Sequence, residues 1–212
     1  LLTLFAVQGI GVIGDLAKYF FLLVFVLIFH GIVTYGLFLS LLAKLNPITF
    51  FSKLRSLAVF AFSTSSSSAT MPITLQTVRT KLGVKPSIGS FTVPLGATVN
   101  MDGTAIMQGI ATVFIAQAYN MDLTTMDYLM VILTATLASI GTAGVPGVGL
   151  IMLAMVLEQV GLPVEGIALI IGVDRLLDMT RTAVNVCGDA MVSCVVAKSE
   201  GEFDKEVFDK RI

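Results

Sequence analysis

Charge is what this sequence most lacks. Only 13% of its 212 residues are charged, against roughly 25% in an ordinary soluble domain, while the hydrophobic class reaches 56% and the mean hydropathy is +0.93. That balance excludes a water-soluble globule and predicts an all-α membrane protein that crosses the lipid bilayer more than once. Long basic or acidic runs are missing too, and the formal net charge is -1; neither a nucleic-acid partner nor a polybasic surface anchor is expected. Cysteine is scarce. Cys187 and Cys194 are two helical turns apart, which separates their Cα atoms by about 10 Å, beyond disulfide reach. The single histidine, His30, falls inside a long apolar run and reads as a helix-packing residue. The serine-rich stretch downstream therefore has no evident general base, and an enzyme such as an intramembrane serine hydrolase is not expected. The chain opens without Met, basic n-region or small-residue cleavage site, so residues 1–13 are read as the end of a preceding helix or loop.

Against these absences stand apolar runs of unequal length. The stretch 16–43 exceeds the ~20 residues needed to span, and Asn46-Pro47 closes it. Residues 46–82 run from "FFSKLRSLAVFAF" through "STSSSSAT" into a short amphipathic piece. Each arm is too short to cross, which predicts a re-entrant helical hairpin with serines at its tip. A segment of spanning length follows at 87–119, broken by "NMDGT". A second hairpin is predicted over 124–160, with "ASIGTAGVPGVG" as its tip, and a last helix over 163–197. Short or Gly/Pro-interrupted segments at matching positions of two halves point to an inverted-repeat transporter with its site at the midplane. Lys44, Lys53, Arg55, Arg79, Lys81, Lys85, Lys198, Lys205, Lys210 and Arg211 gather on one side, whereas the linkers 120–127 and 158–165 carry no Lys or Arg. By the positive-inside rule that side is cytoplasmic, with Lys18 the exception. The tail 201–212 then lies in the cytoplasm.

The last helix carries the polar residues that lipid should refuse. Asp174, Asp178, Arg181, Asn185 and Asp189 are spaced by four, three, four and four, and at ~100° per residue they fall within an arc of roughly 80°. A structural ion-pair ladder would use such a stripe. So would an ion or substrate path, which is what costly intramembrane charges mark by default. Arg181 and Asp178, one turn apart, supply a bidentate fork for a carboxylate and an anion for an ammonium, a pairing suited to an acidic amino acid. The "SSSSATMP" stretch puts hydroxyls and free N–H groups at a helix N-terminus, which attracts an anion. Unwinding at "NMDGT" frees carbonyl oxygens, the ligands a hard cation prefers. A passive channel is the rival within the membrane class, but a pore has no use for an Arg/Asp stripe facing two hairpin tips.

Four segments, "SSSSATMP", "GATVNMDGTAIMQG", "ASIGTAGVPGVGLIML" and "DRLLDMTRTAVNVCGD", resemble the signature segments of the dicarboxylate/amino acid:cation symporters, the glutamate/aspartate transporter family. The resemblance covers about 14–201 and implies an elevator-type transport domain over 14–200. It implies sodium-coupled symport of acidic amino acids through the cell membrane, with relatives for succinate-type dicarboxylates or neutral amino acids as the alternative. It implies no cofactor beyond sodium as coupling ion, and a homotrimer built on N-terminal scaffold helices that these 212 residues do not include. Ser66, Ser67, Thr104, Gly144, Val145, Asp178, Arg181, Thr182 and Asn185 match substrate contacts in the family. Gly96, Asn100, Asn185 and Asp189 match one sodium site; Thr98, Ser139, Ile140 and Thr142 a second; Asp102 and Asn100 part of a third. Gln108 stands where animal members carry a proton-bearing acid, which makes the sequence resemble the prokaryotic type and argues against proton coupling there.

Overall fold

The computed structural model describes residues 11–210; residues 1–10 of the opening segment and the last two of the tail lie outside it. Every described element is helical, and the only strand-like pairing among the described residues is an isolated bridge between Val84 and Phe203. The first helix, α1, is already formed at Gly11, five residues before the apolar run that announces it. Backbone hydrogen bonding continues through Asp15 and Lys18, which pair with each other at 2.9 Å on the exposed surface, so charge at a helix end does not mark its boundary. Beyond Phe29 the helix widens into π-helical turns at His30–Thr34 and Leu39–Ala43, with an α turn, Tyr35–Phe38, between them. Ile13–Ala43 is the one described helix long and apolar enough to cross a bilayer alone.

Two helical pairs follow the same plan. Asn46 caps α2 (Pro47–Thr64), its Oδ1 accepting from the Ile48 and Thr49 amides, with Pro47 in the first turn where its missing N–H costs nothing. Ser65 leaves the helix in the left-handed region at φ 52°, and Ser66 at once caps α3 (Ser67–Thr80) by accepting from the Ala69 amide. Thr124 and Asp127 form a reciprocal capping box at the start of α6 (Thr125–Ile140). Gly147, at φ 81°, opens α7 (Val148–Gln159). Between the pairs, α4 (Pro86–Val99) and α5 (Asp102–Ala118) are separated by Asn100 and Met101, whose backbone departs from helical geometry.

The last long helix, α8 (Ile167–Ser199), is reached through a single 3-10 turn at Val164–Gly166 and packs against α1 to α5 and α7. Its two halves belong to different cores. Val186, Ala190, Cys194 and Ala197 pack with residues of α2 to α4, while Leu169, Ile170 and Leu177 pack with α1, α5, α6 and α7. The polar stripe of α8 occupies the joint between these two apolar masses. The tail folds into a short helix, α9 (Lys205–Asp209), capped by Asp204.

Candidate functional site

Arg181 is 1% exposed. Its Nη2 donates to Asp178 Oδ1 at 2.7 Å, and its Nη1 lies 3.2 Å from Asp174 Oδ1, near enough for an ion pair but misaligned for a hydrogen bond. Nε and Nη1 have no hydrogen-bond partner among the described residues. A buried guanidinium with unused, geometrically fixed donors is a prepared receptor for a second carboxylate. The other oxygen of Asp178 accepts from the Gly147 amide at 3.0 Å, which ties the stripe to the second turn.

The two turns meet above this pair. Gly144 O accepts from Ser66 Oγ at 2.7 Å and from the Ser68 amide at 3.1 Å. A cavity of about 20 Å³ remains beneath the contact, lined by Ser67, Thr104, Gly144, Val145, Asp178, Arg181, Thr182 and Asn185 among others. That volume holds about one water and no amino acid. Of the nine residues matched to substrate contacts, eight line the cavity, while Ser66 closes its roof.

Around the break in the α4/α5 segment, Asn100 Nδ2 donates to Asp189 Oδ1 at 3.0 Å and to Asn185 O at 3.3 Å. Gly96 lies so close to Asp189 that a Cβ would strike its Oδ1. Asn185 Oδ1 accepts from the Gly103 amide at 2.8 Å. Gly96 in α4, Asn100 in the break, and Asn185 and Asp189 in α8 are thus one cluster. Thr98, Ser139, Ile140 and Thr142 are not joined in this way: Thr98 and Ile140 are exposed, and the three hydroxyls each donate to a carbonyl three or four residues back, at Leu95, Thr136 and Ala138.

The surroundings of Asp102 correct one sequence-based expectation. His30 is no bystander in helix packing: its Nε2 lies 2.6 Å from Asp102 Oδ2, and Tyr35 OH donates to the same oxygen at 2.6 Å. The π-helical turn at His30–Thr34 brings both rings to one side of α1, at 5.0 Å between centroids. Among the described residues Asp102 Oδ1 is buried without a partner, and Asn100 makes no hydrogen bond to this carboxylate. No periodicity in the sequence could have announced this, since π turns leave no compositional mark. A polar residue in mid-span was the available signal.

The sequence profile of the sodium:dicarboxylate symporter family matches residues 1–199. The chain belongs to that family. It is similar to excitatory amino acid transporter 1 of Rattus norvegicus, with 43% identity over 190 residues, 89% of this chain and 35% of that protein. It is also similar to an excitatory amino acid transporter of Caenorhabditis elegans, with 44% identity over 181 residues, 85% and 36% of the two lengths. Excitatory amino acid transporter 5 of Mus musculus gives 43% over 171 residues, 81% and 31%. The chain spans about a third of the length of these relatives. Family and relatives are transporters rather than enzymes, and a transporter family is a membrane family. In this family member Gln108 is fully buried, its Nε2 3.5 Å from Gly149 O and its Oε1 without a partner among the described residues.

Proposed function

We propose that this chain is the transport core of a sodium-coupled symporter of acidic amino acids, glutamate or aspartate. The observation that carries the reading is the buried Arg181–Asp178 pair, which lines a cavity roofed by two helix-linking turns and keeps guanidinium donors unpaired among the described residues. An acidic amino acid satisfies both members: its side-chain carboxylate takes the free donors of Arg181, its ammonium faces Asp178, and its second carboxylate reaches the amides and hydroxyls at the start of α3. A succinate-type dicarboxylate, the substrate class in the family's own description, brings no cation for Asp178 and sets like charges against each other. A neutral amino acid leaves the Arg181 fork unpaired.

On this reading residues 14–200 form one transport domain in which α2/α3 and α6/α7 are re-entrant hairpins. The domain travels as a rigid elevator against a scaffold, within a homotrimer in the cell membrane, with the tail in the cytoplasm. The Asp189 cluster holds a sodium ion; Thr98, Ser139, Ile140 and Thr142 form a second site once the α6/α7 turn shifts; and Asp102 contributes to a third. Gln108 cannot carry a proton, so coupling through it is absent, as in the prokaryotic type. The test is a chimera in which this chain replaces the matched segment of the rat transporter. Sodium-dependent uptake of labelled aspartate, displaced by glutamate and not by succinate or alanine, is the expected outcome. Displacement by succinate alone would assign the chain to dicarboxylates instead.

A further inference from the structure

Asp174, the second carboxylate beside Arg181, faces a different neighbourhood from Asp178. Ile170 lies four residues before it and Leu177 three after it, so the three side chains share one face of α8. Ile170 and Leu177 pack in the same core as Tyr19 of α1. Tyr19 is 2% exposed, with its ring tilted against Phe114 of α5 at 5.0 Å between centroids, and the charges of Arg181 and Asp174 both act on its hydroxyl. Neither Tyr19 nor Asp174 lines the cavity beneath the roof. Tyr19 OH, Asp174 Oδ1, and Arg181 Nε and Nη1 are buried without a hydrogen-bond partner among the described residues. All four atoms are shut off from solvent inside this chain, unlike groups on its surface that a further segment could cover.

Their chemistry is complementary. The hydroxyl offers a proton, the Asp174 oxygen accepts one, and the guanidinium has donors for either a resident or an incoming carboxylate. Leaving such groups unpaired in a low-dielectric interior is costly, so each gains by taking a partner. Charge then decides which pairing serves binding. Arg181 already faces carboxylates at 2.7 and 3.2 Å, and a substrate carboxylate would be the third anion on one guanidinium. With Asp174 turned into line with Nη1, the fork is spent on resident charges and the stripe becomes a closed ion-pair ladder. With Asp174 drawn aside, Nη1 and Nε are open to the ligand.

We propose that Tyr19 is a positioning residue that draws Asp174 off Arg181, its hydroxyl donating to Asp174 Oδ1 as a substrate carboxylate takes Nη1 and Nε. The inference rests on Arg181 being the partner of an acidic substrate. It adds that selection of the side-chain carboxylate is governed from α1, by a residue outside the cavity lining. A packing role alone would be filled equally by Phe, because the ring occupies the core and the hydroxyl adds only its polarity.

The experiment is isothermal titration of aspartate, in saturating sodium chloride, into the purified 212-residue chain and its Tyr19→Phe variant. The variant keeps the ring and should bind aspartate at least about tenfold more weakly, the loss expected for one hydrogen bond to a charged group. In an Arg181→Cys background the same exchange should leave alanine affinity unchanged, because the fork that Tyr19 serves is gone; a packing defect would weaken it there too. In an Asp174→Asn background it should alter aspartate affinity by less than about twofold, since no anion competes for Nη1. Infrared difference spectra on adding aspartate should show one tyrosine C–O band shifting to that of a donor to carboxylate, present in the parent and lost in Tyr19→Phe. A parent chain with no affinity for aspartate would overturn the functional reading and this inference with it. Parent binding that Tyr19→Phe leaves undiminished, or an equal loss of alanine affinity in the Arg181→Cys background, would overturn the role of Tyr19 alone.

Discussion

Arg181 is held from two sides by carboxylates, and the asymmetry between them sets what it can do. The aligned 2.7 Å bond to Asp178 fixes the plane of the guanidinium, while the 3.2 Å contact of Nη1 to Asp174 is misaligned and neither Nη1 nor Nε has a hydrogen-bond partner among the described residues. Removing one partner of a buried charge cluster costs on the order of 3–5 kcal/mol. Arg181→Cys in the chimera should accordingly lower aspartate affinity by at least about 100-fold and open the site to neutral amino acids, read as labelled alanine uptake. Retained aspartate affinity would remove Arg181 from the substrate's partners. Asp189 acts at one remove. Its carboxylate rests on Gly96 and the Asn100 amide, and on the proposed reading sodium completes its shell. Cation and substrate affinities must then be linked by one factor in both directions. Asp189→Asn should weaken aspartate binding and flatten its dependence on sodium concentration together; an unchanged sodium slope would make Asp189 a packing charge.

At the scale of elements, local chemistry was legible and long-range contact was not. Asn46-Pro47, the serine run, "NMDGT" and the glycines of the second turn are cap and breaker signals that act within a few residues, and α2 to α7 begin or end at them. The spacing of the α8 stripe alone makes Asp178, Arg181 and Asn185 neighbours on one helix face. The bonds of His30 and Tyr35 to Asp102 cross 72 and 67 residues, and that of Ser66 to Gly144 crosses 78; no periodic pattern encodes such pairings. The turn-to-turn contact is also where one methyl group decides the outcome. A Cβ on Gly144 would lie 2.9 Å from Ser68 Oγ and 3.1 Å from Ala97 O, inside ordinary contact distance, so the roof could not close as it stands. Gly144→Ala should reduce aspartate affinity more than tenfold in isothermal titration while leaving the melting temperature of the ligand-free chain within a few degrees. Parent-like affinity would show that the roof is not needed for binding.

Across the whole molecule the two apolar cores meet along α8, and the core built on α2 to α4 is closed at its far end by the tail. Lys53 is the pin of that closure: 3% exposed, it donates to Lys81 O at the end of α3 and to Val207 O in α9, with its ammonium 5.6 Å from the centre of the Phe208 ring. The tail adds its own contacts, Lys85 N donating to Glu202 O at 3.1 Å and Asp204 N to Gly83 O at 2.7 Å, where Gly83 at φ 78° leaves no room for a side chain. A hydrogen bond to a charged group contributes about 1.5–3 kcal/mol, and unpaired buried carbonyls add their own cost. Lys53→Met, which keeps the length of the stem and strands both carbonyls, should destabilise the chain by about 3 kcal/mol in chemical unfolding. Deleting residues 202–212 should cost a similar amount, because it takes away Val207 and Phe208 from the other side. The two changes remove one shared interaction, so their effects should fall short of additive by at least about 1 kcal/mol. Strict additivity in that double cycle would mean that Lys53 stabilises α2 and α3 by themselves and that the tail is docked independently of it.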